Sequence, residues 1–252
     1  PEGRLQDRIS NAESPVTAVP DELYFLTRRL PRPRMSAPFP FRSLTFSLRR
    51  AWYRRHCDGA MAEYLDASPP ADRADVKKLD LLALDLETTG LDPGTDRIVS
   101  IGFVEIDGRR ICGDRARHVL LNIDGTVDRS ATIHRITDTD LRDAVSERDA
   151  LDTVLTHLQG HVLLVHHAPM DVGFLNAACR RHYNVPLLAP TVDTLTLARR
   201  VQERGNQRSR EGSLRLHALR STFGLPRYAA HNALSDAVAT AELYLALLPR
   251  WA

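Results

Sequence analysis

The segment LLALDLETTGLDP, residues 81–93, restricts the fold of this chain more than any other part of the sequence. Its opening run LLAL is continuously apolar, which predicts a strand buried on both faces. Because residues i and i+2 of a strand project from the same face, Asp85 and Glu87 would lie side by side at its end. Two ionised carboxylates that close repel each other, and burial penalises the charge on each. Solvent, a bound proton or a metal ion must therefore offset the repulsion between the two carboxylates.

A divalent cation would favour the ionised form of both carboxylates, and sites built from oxygen ligands suit Mg²⁺ or Mn²⁺. The residues that follow, TTG, allow the chain to leave the strand sharply at Gly90. A bare Asp-x-Glu pattern is nevertheless more often a solvated pair at a strand end. The metal interpretation therefore depends on further ligands from other parts of the chain.

Two further acids and a histidine are candidates for that role. Asp171 follows the apolar run HVLLVHH near the start of a predicted helix, and Asp236 lies one turn into the final helix, five residues after His231. Each has an ordinary alternative, because acids stabilise the first turn of a helix and a single histidine is usually not a catalyst. Taken together, the acids and the histidine can converge on one edge of a sheet.

The order of predicted elements indicates an α/β fold. LLALDL, IVSIGFVEID and RRICGDRARHVLLNID predict three strands whose short connections favour antiparallel neighbours. Helices and short strands then alternate, which predicts a mixed sheet flanked by helices. The later segments are SERDALDTVLTHLQ (helix), HVLLVHH (strand), APMDVGFLNAACRRHY (helix), TVDTLTLARRVQ (strand end and helix), SLRLHALRSTFG (helix) and HNALSDAVATAELYLALL (final helix).

The N-terminal part of the chain is rich in arginine and has no Asp or Glu over residues 23–57. A transit peptide, a basic arm that contacts nucleic acid, and an amphipathic helix packed on the main domain all fit this composition. The near-helical spacing of apolar residues favours a helix over residues 43–65. We therefore predict a flexible Arg/Pro-rich segment over residues 1–42, a helix and linker over residues 43–78, and the main domain over residues 79–250.

Net charge and cysteine content limit the classes of protein to which this chain can belong. The net charge of +2 means that any affinity for nucleic acid must come from local patches. Three cysteines without a CxxC spacing fit a reducing compartment and argue against a disulfide framework or a zinc site. No apolar run approaches the roughly 20 residues that span a bilayer. We expect a cytoplasmic protein without a membrane partner.

LALDLETTGLDP, VHHAPMDVGFLN and HNALSDA resemble the three motifs of the DEDDh 3′–5′ exonuclease superfamily, the DnaQ-like relatives of the proofreading epsilon subunit of bacterial DNA polymerase III. The resemblance covers residues 79–248, and the segments IHRIT and VDTLTLAR also resemble sequences of this family. It implies a ribonuclease H-like mixed sheet flanked by helices, here with an N-terminal basic helical and linker extension. It further implies a metal-dependent 3′–5′ exonuclease.

The resemblance implies two Mg²⁺ or Mn²⁺ ions held by Asp85, Glu87, Asp171 and Asp236. Asp85 would bridge both ions, and Asp171 would act through water. Two such ions clamp the attacking and leaving oxygens of an in-line phosphoryl displacement. His231 would take the proton from the attacking water, because histidine ordinarily titrates near neutral pH. The product would be a nucleoside 5′-monophosphate from a 3′ end.

The resemblance also implies a pocket for the terminal nucleotide. Thr88, Thr89 and Leu91 would orient this nucleotide, and His134 would line its base pocket. For Leu91, ordinary packing in the core is the alternative.

The chain departs from the family pattern at three positions. His167 stands where asparagine is usual, Met170 where an aromatic residue is common, and Arg135 where glycine is common. These departures bear on substrate fit, because the metal ligands and the histidine are all present.

Single-stranded or frayed DNA ends are the predicted substrate, with RNA or short oligonucleotides as the alternative in the same fold. A non-catalytic nucleic-acid-binding module is the rival from another class, and we disfavour it because all four acids and the histidine are present. The chain ends directly after the predicted final helix, which favours a stand-alone nuclease over a tightly held proofreading subunit. The Arg-rich N-terminal segment could dock a polymerase or another protein partner, or contact the phosphates of the substrate.

Overall fold

The central element of the fold is strand β1 (Leu81–Thr88), in a five-stranded sheet of order β3-β2-β1-β4-β5. Strands β1, β2 and β3 are antiparallel, whereas β4 and β5 run parallel to β1. The other strands are β2 (Ile98–Asp107), β3 (Arg110–Leu120), β4 (Val162–Val165) and β5 (Thr191–Asp193). The computed structural model of the chain describes residues 44–69, 79–122, 144–204, 212–228 and 231–251. Within those ranges the predicted mixed sheet flanked by helices is confirmed.

The helices begin and end close to the predicted positions because their capping residues are in place. Ser146 accepts a hydrogen bond from the backbone N–H of Asp149 (3.1 Å), and Asn232 accepts one from Ser235 (3.0 Å). The helices are α1 (Leu44–Arg54), α2 (Gly59–Asp66), α3 (Glu147–Leu158), α4 (Ala168–Tyr183), α5 (Thr194–Arg204), α6 (Leu216–Thr222) and α7 (Ala233–Trp251). None of these helices is long and apolar enough to cross a membrane.

The side chains of β1 alternate between two hydrophobic clusters, one on each face of the sheet. Leu82 and Leu84 pack with helices α2, α3 and α4 on one face. Leu81 and Ala83 pack with α5, α6 and α7 on the other face. The acids of β1 continue the second series, so the alternation directs them towards the face that α7 covers.

The N-terminal extension contributes to the first of these clusters. Where the sequence predicts one helix over residues 43–65, the structure has two, α1 and α2, and the side chains of Met61, Tyr64 and Leu65 are buried in the cluster. The hydroxyl of Tyr64 donates to the carbonyl oxygen of Leu188 (2.9 Å). Helix α2 is therefore part of the hydrophobic core.

The arginines of α1 and the turn after it have different roles. Arg50 is buried and donates to the carbonyl oxygens of Tyr64, Ala67 (3.0 Å) and Leu188 (3.4 Å). Arg54 pairs with Asp66 (2.6 Å). Arg50 and Arg54 thus hold the extension together, whereas Arg55 is exposed to solvent. The segments predicted as flexible (1–42) and as linker (70–78) lie outside the described residues.

Candidate active site

Three carboxylates from two elements meet at the end of β1. Asp85 and Glu87 project from the strand, and Asp236 projects from the first turn of α7. One oxygen from each of these residues lies within 4.8 Å of the other two. The alternation of β1 explains this arrangement, because it turns both strand acids towards α7.

A glycine in the neighbouring strand allows α7 to come this close. Gly102 of β2 pairs with Asp85 in the register of the sheet. A Cβ atom on Gly102 would lie 2.1 Å from the backbone atoms C of Ala233 and N of Leu234. The backbone at the start of α7 therefore rests directly on this glycine. Our sequence analysis did not select Gly102, although a single glycine inside a strand pattern indicates close approach of another backbone.

The fourth predicted acid lies beside this group. Asp171 is buried in the first turn of α4, and the backbone N–H of Leu86 donates to its carboxylate. It does not belong to the set whose oxygens lie within 4.8 Å of one another. Its charge nevertheless raises the pKa of Asp85, which shows that the two carboxylates are close.

All four acids have raised pKa values, with burial as the main cause in each case. Burial raises the pKa of Asp171 to about 8. Burial and the charges of Asp171, Asp236 and Glu87 raise the pKa of Asp85 well above its usual range. The pKa values of Glu87 and Asp236 are also raised by burial, although the charge of His231 acts in the opposite direction on both. Such a crowded set of hard oxygen donors fits a divalent cation, whose charge would relieve the repulsion.

His231 lies next to the acids on the segment that enters α7. It is exposed, and its backbone has a φ of 68°. Its backbone N–H donates to the Oδ2 atom of Asp236 (3.1 Å). This hydrogen bond fixes the backbone of the histidine against one of the acids and leaves the imidazole accessible to water.

A buried arginine fastens the segment before the histidine to α7. Arg220 of α6 donates to the carbonyl oxygens of Pro226 (2.7 Å) and Ala239 (2.8 Å). Its Nη2 atom also lies 2.7 Å from Oε2 of Glu242, an ion pair without an aligned hydrogen bond. Tyr228 donates to Oε1 of Glu242 (2.8 Å), and the guanidinium of Arg220 lies 4.7 Å from the centre of the Tyr228 ring. No local sequence signal reveals this cluster, because its members come from three separate elements.

The middle motif is organised by two histidines. His166 contacts the hydroxyl of Thr194 (2.8 Å) and the carbonyl oxygen of Leu214 (3.0 Å), and burial lowers its pKa. Since a carbonyl only accepts, the imidazole donates from Nε2 to Leu214. The backbone N–H of His167 donates to Asp193 (2.9 Å), and its φ is 79°. Asparagine and histidine both adopt this left-handed conformation more readily than most residues, so His167 is compatible with the backbone here.

The predicted nucleotide-pocket residues follow β1 directly. The hydroxyl of Thr88 donates to the carbonyl oxygen of Gly90 (2.6 Å), and the hydroxyl of Thr89 accepts from the backbone N–H of Arg97 (3.0 Å). Both hydroxyls thus shape the turn. Leu91 is 78% exposed, so the alternative of ordinary packing does not apply to it. His134, like Arg135, lies outside the described residues.

Comparisons with known proteins find sequence similarity to exonucleases and to DNA polymerase III proteins. A model of the RNase T exonuclease family matches residues 82–244. The chain is 32% identical over 168 residues to the PolC-type DNA polymerase III of Thermotoga maritima, covering 65% of this chain but 11% of that polymerase. It is 33% identical over 184 residues to the DNA polymerase III subunit epsilon of Salmonella typhimurium, covering 66% of this chain and 70% of that subunit.

Solved nuclease structures share the fold. The nuclease domain of 3′hExo, described as a DEDDh family member bound to rAMP, has a TM-score of 0.56 at 15% identity. That match covers 70% of this chain and 94% of the domain. Escherichia coli exonuclease I in complex with a dT13 oligonucleotide has a TM-score of 0.55 at 18% identity, covering 66% of this chain and 40% of that one.

Proposed function

The chain belongs to the DEDDh 3′–5′ exonuclease superfamily, and from that premise we propose that it removes nucleotides one at a time from the 3′ end of DNA. The products would be nucleoside 5′-monophosphates. The observation that carries the proposal is the meeting of Asp85, Glu87 and Asp236 at one end of the sheet, with Asp171 and His231 beside them.

The four acids would hold two Mg²⁺ or Mn²⁺ ions. The raised pKa values of the acids support this assignment, because carboxylates crowded in this way bind either protons or cations. When bound, the ions would supply positive charge at the scissile phosphate and a more acidic water. The protein contributes by holding Asp85 and Glu87 on a central strand, where packing on both faces restricts their movement.

His231 is the proposed general base. Its imidazole is exposed, so water can reach it, while the hydrogen bond from its backbone to Asp236 restricts where the side chain can go. The charges of His231 and of the carboxylates of Glu87 and Asp236 attract each other. The histidine therefore lies close to the carboxylates that would hold the metal ions.

The terminal nucleotide would bind beside the turn after β1. Leu91 presents an exposed apolar side chain there, and the hydroxyls of Thr88 and Thr89 hold the turn in shape. In this role Leu91 contacts the nucleotide, and the threonines fix the backbone that orients it. His134 would complete the base pocket.

DNA is the favoured polymer, because two relatives are DNA polymerase III proteins and exonuclease I was solved with dT13. The rAMP in the 3′hExo structure supports RNA or short oligonucleotides as the alternative substrate. A non-catalytic binding module remains disfavoured, since every acid and the histidine are in place. Parallel release assays on single-stranded DNA, duplex DNA, mismatched ends and RNA distinguish these polymers.

The decisive test replaces the acids with amides of the same shape. We expect Asp85→Asn and Asp236→Asn to lower metal-dependent nucleotide release by about a hundredfold or more, as removal of other preorganised electrostatic groups does. Asp107→Asn is the matched control, since Asp107 is an exposed acid at the far end of β2. EDTA should abolish release by the wild type. Full activity of Asp85→Asn, or release that persists in EDTA, would reject the proposed function.

A further inference from the structure

A cavity of about 220 Å³ opens next to the acid cluster, on the α6 side of α7. It lies between α6, the segment that follows α6, and the first turns of α7. Residues that line it include Leu216, His217, Pro226, Arg227, Tyr228 and Asp236. Because Asp236 also belongs to the carboxylate group at β1, the cavity and the proposed cleavage site share one wall.

The cavity combines cationic and apolar walls. Arg227 and His217 are exposed, and within the part of the chain that the structure describes their side chains make no hydrogen bond or ion pair. Leu216 and Pro226 supply apolar surface, and Tyr228 is 42% exposed. Free donors at the rim of an apolar hollow suit a phosphate joined to a sugar or a base.

Arg220 also lines the cavity, but it is buried and its guanidinium is held by contacts within the protein. Two of its N–H groups donate to the carbonyl oxygens of Pro226 and Ala239, and its Nη2 atom also pairs with Glu242. Asp236 lines the same cavity, so the guanidinium lies near the edge of the acid cluster. The ion pair with Glu242 neutralises the charge of Arg220, so Arg227 and His217 are the side chains able to contact an anion in the cavity.

We propose that this cavity binds the nucleotide on the 5′ side of the scissile bond, which becomes the new 3′ end after each cleavage. The assignment rests on the proposed function, which puts the scissile phosphate at the acids and the terminal nucleotide beside Leu91. The rest of the strand must leave the acids along another element, and the cavity adjoins Asp236 on the α6 side. Its volume is below the roughly 300–1,000 Å³ of drug-sized pockets, so it has room for the base or sugar of no more than one nucleotide.

The test compares two substrates that differ only on this side of the scissile bond. Oligothymidylate has a nucleotide there, whereas the p-nitrophenyl ester of thymidine 5′-monophosphate has a nitrophenyl group. Arg227→Ala removes the cation, and Ser221→Phe fills the cavity without changing its charge. Arg109→Ala is the control, because Arg109 is an exposed arginine in the β2–β3 turn, at the end of the sheet away from the acids.

We expect the ratio of kcat/KM for oligothymidylate to that for the ester to fall about fivefold in Arg227→Ala and in Ser221→Phe, and to stay constant in Arg109→Ala. In Arg227→Ala the slope of log KM against log salt should also decrease by about 0.7, the value for one phosphate contact on a single strand. An unchanged ratio in both cavity variants would overturn the assignment. Equal losses of kcat/KM on both substrates are one way in which the ratio stays unchanged, and they would mean that the cavity serves the terminal nucleotide or the acids. Wild-type protein that cleaves neither substrate would overturn the proposed function, and the cavity assignment with it.

Discussion

A methyl group on Gly102 should disable the site without unfolding the protein. Gly102 lies under the start of α7, and a Cβ there would be 2.1 Å from two backbone atoms of that helix. Real Cβ atoms essentially never come within 3.0 Å of another heavy atom, so Gly102→Ala requires a shift of about 0.9 Å or more. The obstructing atoms are helix backbone and cannot rotate aside. The start of α7 must therefore move away from the sheet, and Asp236 must move with it.

The size of the effect follows from this displacement. Misplacement of a reacting group by about 1 Å costs on the order of a hundredfold in rate, and overpacking of a core costs about 1–3 kcal/mol in stability. Domains are usually stable by about 5–15 kcal/mol, so the variant should still fold. We expect kcat to fall about a hundredfold and Mn²⁺ affinity to weaken, because the oxygens of Asp85 and Asp236 no longer lie within reach of one ion.

The measurements are nucleotide release, Mn²⁺ titration calorimetry and urea unfolding, each performed on Gly102→Ala and on Gly113→Ala. Gly113 is the matched control, since it also lies in a strand and a Cβ there would meet nothing within 4 Å. Gly113→Ala should retain both rate and Mn²⁺ affinity. If Gly102→Ala kept kcat within about threefold of wild type despite the loss of about 1–3 kcal/mol expected from overpacking, the close approach of α7 would not control the acid geometry.

The remaining predictions concern the base, the protons of the acids and the buried arginine. His231→Gln should lower kcat about a hundredfold with an unchanged urea midpoint, and a wild-type rate on single strands would remove His231 as the base. Because burial raises the pKa of Asp171 to about 8, Mn²⁺ binding should release protons, and Mn²⁺ affinity should increase as pH rises to about 8. Calorimetry in two buffers of different ionisation enthalpy measures the proton release. An Mn²⁺ affinity that does not depend on pH would contradict this prediction. The same raised pKa means that folding binds protons at Asp171, so the contribution of this carboxyl to the stability of the metal-free protein should be full below about pH 4 and be lost as pH rises towards 8, as urea unfolding of wild type and Asp171→Asn at each pH would show. Arg50→Ala should cost about 3 kcal/mol in urea unfolding and Arg55→Ala less than about 0.5 kcal/mol, and equal losses would mean that the carbonyl contacts of Arg50 do not stabilise the fold.

Periodicity was sufficient to predict the elements that carry the acids. The apolar run of β1 and the spacing of Asp85 and Glu87 predict a buried strand with both carboxylates on one face, and the structure has that arrangement. Asn232 and Ser146 act as local caps that depend on only a few neighbouring residues. Such features are encoded within one turn or one strand, so a single sequence is enough to identify them.

Features that depend on contacts between distant parts of the chain were harder to predict from the sequence. The cluster of Arg220, Tyr228 and Glu242 depends on how α6 and α7 pack, and nothing near Arg220 distinguishes it from other arginines in the chain. Arg50 is likewise one member of a basic segment, yet among the described residues of that segment it is the arginine buried against carbonyl oxygens. Gly102 is an intermediate case, since its position inside a strand was visible but the helix that rests on it was not.

The burial of α2 shows that the start of the family similarity and the start of the hydrophobic core lie at different places in the chain. Similarity to the exonuclease family begins at residue 82. Met61 and Tyr64, well before that point, are almost completely inaccessible to solvent among side chains of α3 and α4. A truncated protein that began where the similarity begins would expose that apolar surface to water and would tend to aggregate. In this chain, the segment that matches the exonuclease family is shorter than the segment whose side chains build the hydrophobic core.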